Sequence, residues 1–316
     1  MIPPPREPPP PIVIGHRGAP GHLPDHTLEG YTLAVELGAD FIEPDLVATR
    51  DGHLIARHEN DLTHTTDVAQ RFPDRRATKL IDGREQTGFF SEDLTLDEIR
   101  TLRALQPYPD RPHDHDGMYL IPTFPEILEL AVELSERHGR PIGVYPETKH
   151  PSYFRALGLP LEEPLIAALE QRGLTGATAP VFLQSFELSN LEALAEQIDV
   201  RRVLLIGDPD ETPFGDERTY RQLLSDLPAL RRVVHGVGVH KDALIDAGGP
   251  TGLLQAAHEA GLLVHVYTFR DEPHKLGPAA DGDPRLELKR FYELGVDGVF
   301  ADYPDTASGV RSELWP

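Results

Sequence analysis

The sequence predicts a closed (β/α)8 TIM barrel, and three observations carry that prediction. Eight short runs rich in β-branched and aromatic residues recur along the chain, and longer segments of helical period separate them. At 316 residues the chain also has the length of one large α/β barrel, and 39% apolar residues suffice to fill its core. It reads as a single barrel domain over 1–316, with an inserted segment at about 60–118.

Each element has a local reason. The prolines of MIPPPREPPPP suit a stiff polyproline II lead into the first strand, IVIG (12–15). A helix follows from about Thr27 to Leu37, with Leu28, Tyr31 and Val35 on one face and Gly38 as its stop. The second strand is FIEPD (41–45). Residues 60–118 contain no convincing barrel strand, although TLDE (95–98) is a capping box that opens a short helix. TFPE (123–126) is a second capping box, with Pro125 inside the start and Gly139 past the end. In that helix Ile127, Leu130, Ala131 and Leu134 form one stripe. The remaining strands are IGVYP (142–146), VFLQS (181–185), VLLIG (203–207), GVGV (236–239), LVHVYTF (263–269) and GVFAD (298–302). No internal repeat or domain linker is visible.

Charge and composition narrow the functional classes. The net charge of −22, from 30 basic and 52 acidic residues, repels nucleic acid and anionic membrane. An anionic substrate would therefore need a local reversal of the field, which a bound cation supplies. The absence of cysteine excludes a disulfide scaffold, a thiolate nucleophile and Cys-ligated zinc. No apolar run approaches the roughly 18 residues of a membrane span, so stable membrane insertion is not expected. The start has no apolar signal-peptide region. That implies a cytoplasmic protein if the start is native, and a periplasmic or secreted one if a leader precedes it. No oligomeric state is read from the sequence.

The chemistry gathers at strand ends. In a strand, residues i and i+2 share a face, so Glu43 and Asp45 point the same way at the C-terminal end of the second strand, the active-site face of such a barrel. GHRG puts His16 and Arg17 on that rim, YPETKHP puts Glu147 and Lys149 there, and LIARH doubles back to bring His58 close. Three carboxylates without cysteine suit a hard, oxygen-preferring divalent cation, Ca²⁺ or Mg²⁺. The histidines are then free to transfer protons, and Arg17 and Lys149 suit a phosphate. Metal-assisted phosphodiester cleavage fits all of these together.

Blander readings exist for each residue. Acids at strand ends also cap helices, and Lys149 can pair with Glu147 as a salt bridge of little energy. Convergence of three strands on one rim outweighs them. HDHD (113–116), between prolines, reads as a solvated loop; His22 and His26 flank a turn and line the site entrance; His265 reads as a satisfied core histidine.

At these residues a family resemblance enters. GHRGAPGHLPDHTLEGYTLAVELGADFIEPDLVATRDGHLIARHENDLTHTTD closely resembles the opening of the glycerophosphodiester phosphodiesterases. The likeness continues through YPETKHP, VFLQSFE, VHVYTFR and ELGVDGVFADYPD, from about Ile12 to Asp305, and is nearest to the bacterial periplasmic-type branch. The resemblance implies a barrel with a small insertion after the second strand. It implies hydrolysis of glycerophosphocholine, glycerophosphoethanolamine and similar diesters to sn-glycerol 3-phosphate and an alcohol. It assigns the acid and base to His16 and His58, the metal carboxylates to Glu43, Asp45 and Glu147, and the phosphate contacts to Arg17 and Lys149. One divalent cation is implied, Ca²⁺ favoured over Mg²⁺. Attack by the glycerol 2-hydroxyl through a cyclic 1,2-phosphate, or by water directly, fits these residue types. One departure is PDHT (24–27), where the family reads Pro-Glu-Asn-Thr or Pro-Glu-His-Thr, so Asp25 is one methylene short. A lipid-directed phosphodiesterase on the same barrel, or a phosphoester-binding protein without catalysis, is the rival reading. The mostly polar insertion argues against the first, and the presence of both histidines against the second.

Overall fold

All eight runs form parallel strands. In the computed structural model, which describes residues 9–246, 249–277 and 280–316, these are β1 (Ile12–His16), β2 (Phe41–Glu43), β3 (Gly143–Val144), β4 (Phe182–Ser185), β5 (Arg201–Ile206), β6 (Gly236–His240), β7 (Leu263–Phe269) and β8 (Gly298–Ala301). Each pairs with its chain neighbour from β4 to β8, β8 pairs with β1, and β1 leads through β2 to β3. A bridge between Val144 and Val181, with Glu147 opposite Gln184, closes the ring. Most of the proline-rich lead, residues 1–8, lies outside the described residues.

Two strands are shorter than the sequence suggests, for one reason. β2 stops at Glu43 and the chain resumes as a strand over Asp45–Ala48; β3 stops at Val144 and resumes over Glu147–Thr148. Pro44 and Pro146 interrupt them, because proline has no N–H to give to the ladder. The breaks face each other and are stitched together: the Tyr145 N–H donates to Ile42 O and the Glu147 N–H to Pro44 O, both at 2.9 Å. Asp45 thereby comes opposite Glu147.

The helices form an outer layer. In α1 (Leu28–Glu36) the Thr27 hydroxyl accepts from the Gly30 N–H at 3.0 Å, and Gly38 leaves with φ +98. In α2 (Phe124–His138) Glu126 reaches back to the Thr123 N–H at 2.8 Å, Gly139 is left-handed, and Phe124, Ile127, Leu128, Ala131 and Leu134 are buried. Then come α3 (Glu162–Gln171), α4 (Leu188–Ala195), α5 (Tyr220–Leu224), α6 (Leu253–Glu259), α7 (Pro284–Leu294) and α8 (Pro304–Leu314). One continuous apolar core lies mainly between strands and helices, and a smaller one of Ile14, Phe41, Tyr145, Phe182, Val203 and Phe300 fills the barrel interior. There the Tyr145 and Phe182 rings stack at 4.9 Å, and the Tyr145 hydroxyl meets His265 Nδ1 at 2.7 Å. His265 is thus a satisfied core histidine.

Between β2 and α2 the chain makes a long excursion. Leu54–Ala56 pairs antiparallel with Asp45–Ala48, so the segment carrying His58 does turn back to the rim. A hairpin, Ala77–Ile81 with Arg84–Gly88, turns at Asp82 and Gly83, whose φ of +46 and +77 suit an Asp-Gly two-residue loop. The short helix Leu96–Ile99 opens on the Thr95/Glu98 capping box. Among the described residues no helix is long and apolar enough to cross a membrane.

Candidate active site

Three buried carboxylates lie at the two proline breaks. Glu43, Asp45 and Glu147 each bring an oxygen within 4.8 Å of the others, and among the described residues no other group of acids or histidines gathers three such atoms. The HDHD segment does not: His113 simply pairs with Asp116 at 2.8 Å near the surface. Glu43 accepts from the Arg17 N–H and from Gln184 Nε2, both at 2.8 Å. Asp45 accepts from His26 Nε2 at 3.0 Å and lies 3.4 Å from Arg17 Nε, while its other oxygen is buried with no partner. Glu147 meets Lys149 Nζ at 2.9 Å.

The three carboxylates strain one another electrostatically. Burial, then repulsion from Asp45 and Glu147, pushes the Glu43 carboxyl well above its ordinary range. Burial raises Glu147 to about 8, with Lys149 opposing and Asp45 adding. Burial would raise Asp45 too, but Lys149 and the His26 hydrogen bond hold it well below. Three oxygens converging, one without a partner, and two acids unable to ionise easily side by side are what a hard divalent cation would relieve. The residues fit one.

Both histidines are held by Nδ1. His16 Nδ1 lies 2.6 Å from Asp302 Oδ1, and His58 Nδ1 lies 2.9 Å from Glu59 Oε1. An ionised carboxylate only accepts, so the proton of each neutral ring sits on Nδ1 and Nε2 is left as the accepting nitrogen. Burial, then Arg17, lowers His16, with Asp302 opposing; burial, Arg17 and Lys149 take His58 down to about 3. His16, Arg17, Glu43, His58, Glu147 and Gln184 line one cavity of about 160 Å³. A larger one of about 560 Å³ shares Glu147 and Phe186 with it and includes Lys149 in its wall. Lys149 Nζ is 3.5 Å from His58 Nε2. The structure thus brings all seven sequence-derived residues to one place.

Arg17 owes its aim to an unusual backbone. Its φ is +56, and Gly18 follows at +100 with a would-be Cβ only 2.8 Å from the Gly30 carbonyl carbon, so no other residue fits there. The turn points the Arg17 guanidinium at Asp25, the shorter acid of PDHT, 3.2 Å away.

The sequence misplaces one contributor, His26, and leaves others unmarked. His26 is fully buried between Asp45 and the Tyr31 hydroxyl, not at an entrance. Its spacing from Asp45 gives no local signal; only the turn at φ +55 brings it there. Asp302 lies just past β8, which ends at Ala301, where the sequence pattern extends the strand through it. Gln184 lies in a predicted strand, and Glu59 adjoins His58.

Comparison with known proteins adds an independent line. The model of the glycerophosphoryl diester phosphodiesterase family matches residues 16–306. The chain is similar to the glycerophosphodiester phosphodiesterase GDPD6 of Arabidopsis thaliana, 35% identical over 315 residues, covering 93% of this chain and 84% of that one. It is 30% identical to the glycerophosphodiester phosphodiesterase of Haemophilus influenzae, covering 93% and 88%. A structure of an Oleispira antarctica phosphodiesterase in complex with its product sn-glycerol-3-phosphate superposes with a TM-score of 0.65 over 96% of this chain and 97% of that one. At 20% identity that likeness concerns the barrel fold alone.

Proposed function

The chain belongs to the glycerophosphoryl diester phosphodiesterase family, and from that premise we propose that it is a metal-dependent enzyme hydrolysing glycerophosphocholine, glycerophosphoethanolamine and similar diesters to sn-glycerol 3-phosphate and an alcohol. The observation that carries the reading is the pair of histidines, each tethered through Nδ1 to a carboxylate, beside a buried carboxylate triad. A divalent cation held by Glu43, Asp45 and Glu147, with Ca²⁺ favoured, would supply Lewis-acid neutralisation of the phosphate.

The chain's own residues divide the remaining work. One histidine takes, at Nε2, the proton of the attacking water or glycerol 2-hydroxyl, and the other delivers a proton from Nε2 to the departing alcohol oxygen; on the 2-hydroxyl route water then opens the cyclic phosphate with the two roles reversed. The donor must gain its proton when the anionic phosphate binds, since both rings are pushed towards the neutral form without it. Arg17 and Lys149 offset the charge that grows on the phosphoryl oxygens. Their own charges are secure: although burial opposes it, Asp45 and Asp25 keep Arg17 protonated, and Glu147 and Asp45 keep Lys149 so.

The test is release of sn-glycerol 3-phosphate from glycerophosphocholine, with and without EDTA, followed by Ca²⁺ or Mg²⁺ add-back. Loss on chelation and recovery with one cation supports the reading and identifies the metal. Turnover in a protein shown by elemental analysis to be metal-free would overturn the metal role.

A further inference from the structure

We propose that Asp302, gripped by Arg111 and Arg270, is the positioning residue for His16: it fixes the ring's orientation and tautomer so that Nε2 is the working nitrogen. This rests on the reading of His16 as a proton-transfer group and goes beyond it by assigning a function to a residue just past β8 and to one in the segment between β2 and β3.

The geometry is specific. Asp302 is 1% exposed, and its two oxygens have separate tasks. Oδ1 lies 2.6 Å from His16 Nδ1. Oδ2 accepts from Arg111 at 2.5 Å and from Arg270 Nε at 2.9 Å. The backbone is anchored as well: the Asp302 N–H donates to Phe269 O at 3.0 Å, and its carbonyl accepts from the Gly21 N–H at 3.1 Å. Burial alone would protonate this carboxylate, but His16, and after it the two guanidinium groups of Arg111 and Arg270, hold it ionised. An ionised Asp302 can only accept, so the His16 proton stays on Nδ1. Were Asp302 neutral, its own proton could sit between the two groups and leave the ring free to present the wrong nitrogen.

Arg111 shows how far this arrangement reaches. It arises 191 residues from Asp302 in sequence, and its side chain is fixed before it arrives. Nε donates to Glu272 at 2.6 Å, and the guanidinium lies 4.2 Å over the Tyr108 ring. The partner of His58 is held differently: the Glu59 side chain is 41% exposed, whereas that of Asp302 is 1%. One histidine is therefore clamped within the barrel wall and the other rests on a more open support.

A merely structural network would stitch the excursion to the barrel and leave chemistry alone. Asp302→Asn separates the two, because an amide aims an N–H donor or a weaker acceptor at Nδ1 and loosens the tautomer. The expected result is a fall in kcat of roughly 10²–10⁴, with KM and Ca²⁺ affinity by calorimetry within about threefold of wild type. Asp302→Glu, which restores an anionic acceptor, should recover part of the loss. ¹⁵N histidine spectra should show neutral His16 protonated at Nδ1 in the wild type and mixed or reversed in Asp302→Asn. A folded Asp302→Asn protein with kcat within about threefold of wild type, or a wild-type His16 protonated at Nε2, would overturn the proposal. If Asp302→Asn does not fold, Arg111→Gln keeps the carboxylate and removes one clamp; about a tenfold loss of kcat is expected, and unchanged kcat with unchanged His16 resonances would overturn it. Should the wild type turn over no glycerophosphodiester, the functional reading falls while the spectra still decide the role of Asp302.

Discussion

Removing one charge from the carboxylate triad should stabilise the protein when no cation is present. Glu147→Gln is the cleanest perturbation, since the amide keeps the shape and can still accept from Lys149. The folded-state carboxyl titrates at about 8 against an ordinary 4.5, even with Lys149 opposing the rise. A raised carboxyl pKa means that the folded state binds the proton more tightly than the unfolded state. Stability is therefore lost as pH climbs from about 4.5 to about 8, and the full penalty applies above that window. At pH 7 the loss is about 3 kcal/mol, and above pH 8 on the order of 5 kcal/mol. At roughly 2 °C per kcal/mol for a chain of this size, the variant should melt on the order of 5 °C above wild type at pH 7 in EDTA. The two curves should converge near pH 4.5. Millimolar Ca²⁺ should raise the wild-type midpoint and move the variant much less. Identical midpoints in EDTA from pH 5 to pH 8.5, or a wild type that gains stability over that range relative to the variant, would refute the reasoning.

Other consequences are as direct. His16→Ala and His58→Ala should each lose at least roughly 10² in kcat with the fold intact by circular dichroism, and near-normal turnover in either would remove that residue from the chemistry. Gly143→Ala should destabilise by about 1–3 kcal/mol in urea unfolding, because the new Cβ would sit 2.1 Å from the Phe41 ring inside the barrel. His150, between Asp82 at 2.5 Å and Glu59 at 3.0 Å, is raised to about 9: burial opposes the rise, but these two carboxylates outweigh it. Its contribution is thus complete below pH 6.5 and fades as pH rises to about 9. His150→Gln should cost more stability at pH 6 than at pH 9.5, and an equal loss at both would show that the charge is not what matters.

The sequence exposes this site unevenly, and the reasons are physical. Each barrel strand is a run of β-branched and aromatic residues that could be read alone, and the acids and histidines at the strand ends sit where the topology must bring them to one rim. Local pattern fails where a contact is made by distant chain. Asp302 looks like the tail of a strand because both of its arginines come from elsewhere, one of them 191 residues away. His26 looks like a turn residue because its partner Asp45 belongs to another strand. Two local signals do mark the site and its surroundings. Pro44 and Pro146 lie inside strand-like runs and announce the breaks that make the carboxylates converge. The Asp82-Gly83 pair, between Lys79-Leu80-Ile81 and Arg84-Glu85-Gln86, is a hairpin signal.

The aromatic filling of the barrel has a last consequence. Phe41, Tyr145, Phe182 and Phe300 stopper the bore beneath the carboxylates. The protein is a cup and not a pipe: whatever comes down to Glu43 and Asp45 must leave by the rim at which it arrived. Substrate and both products would then share one doorway, and an accumulating product competes with the next molecule for the same opening.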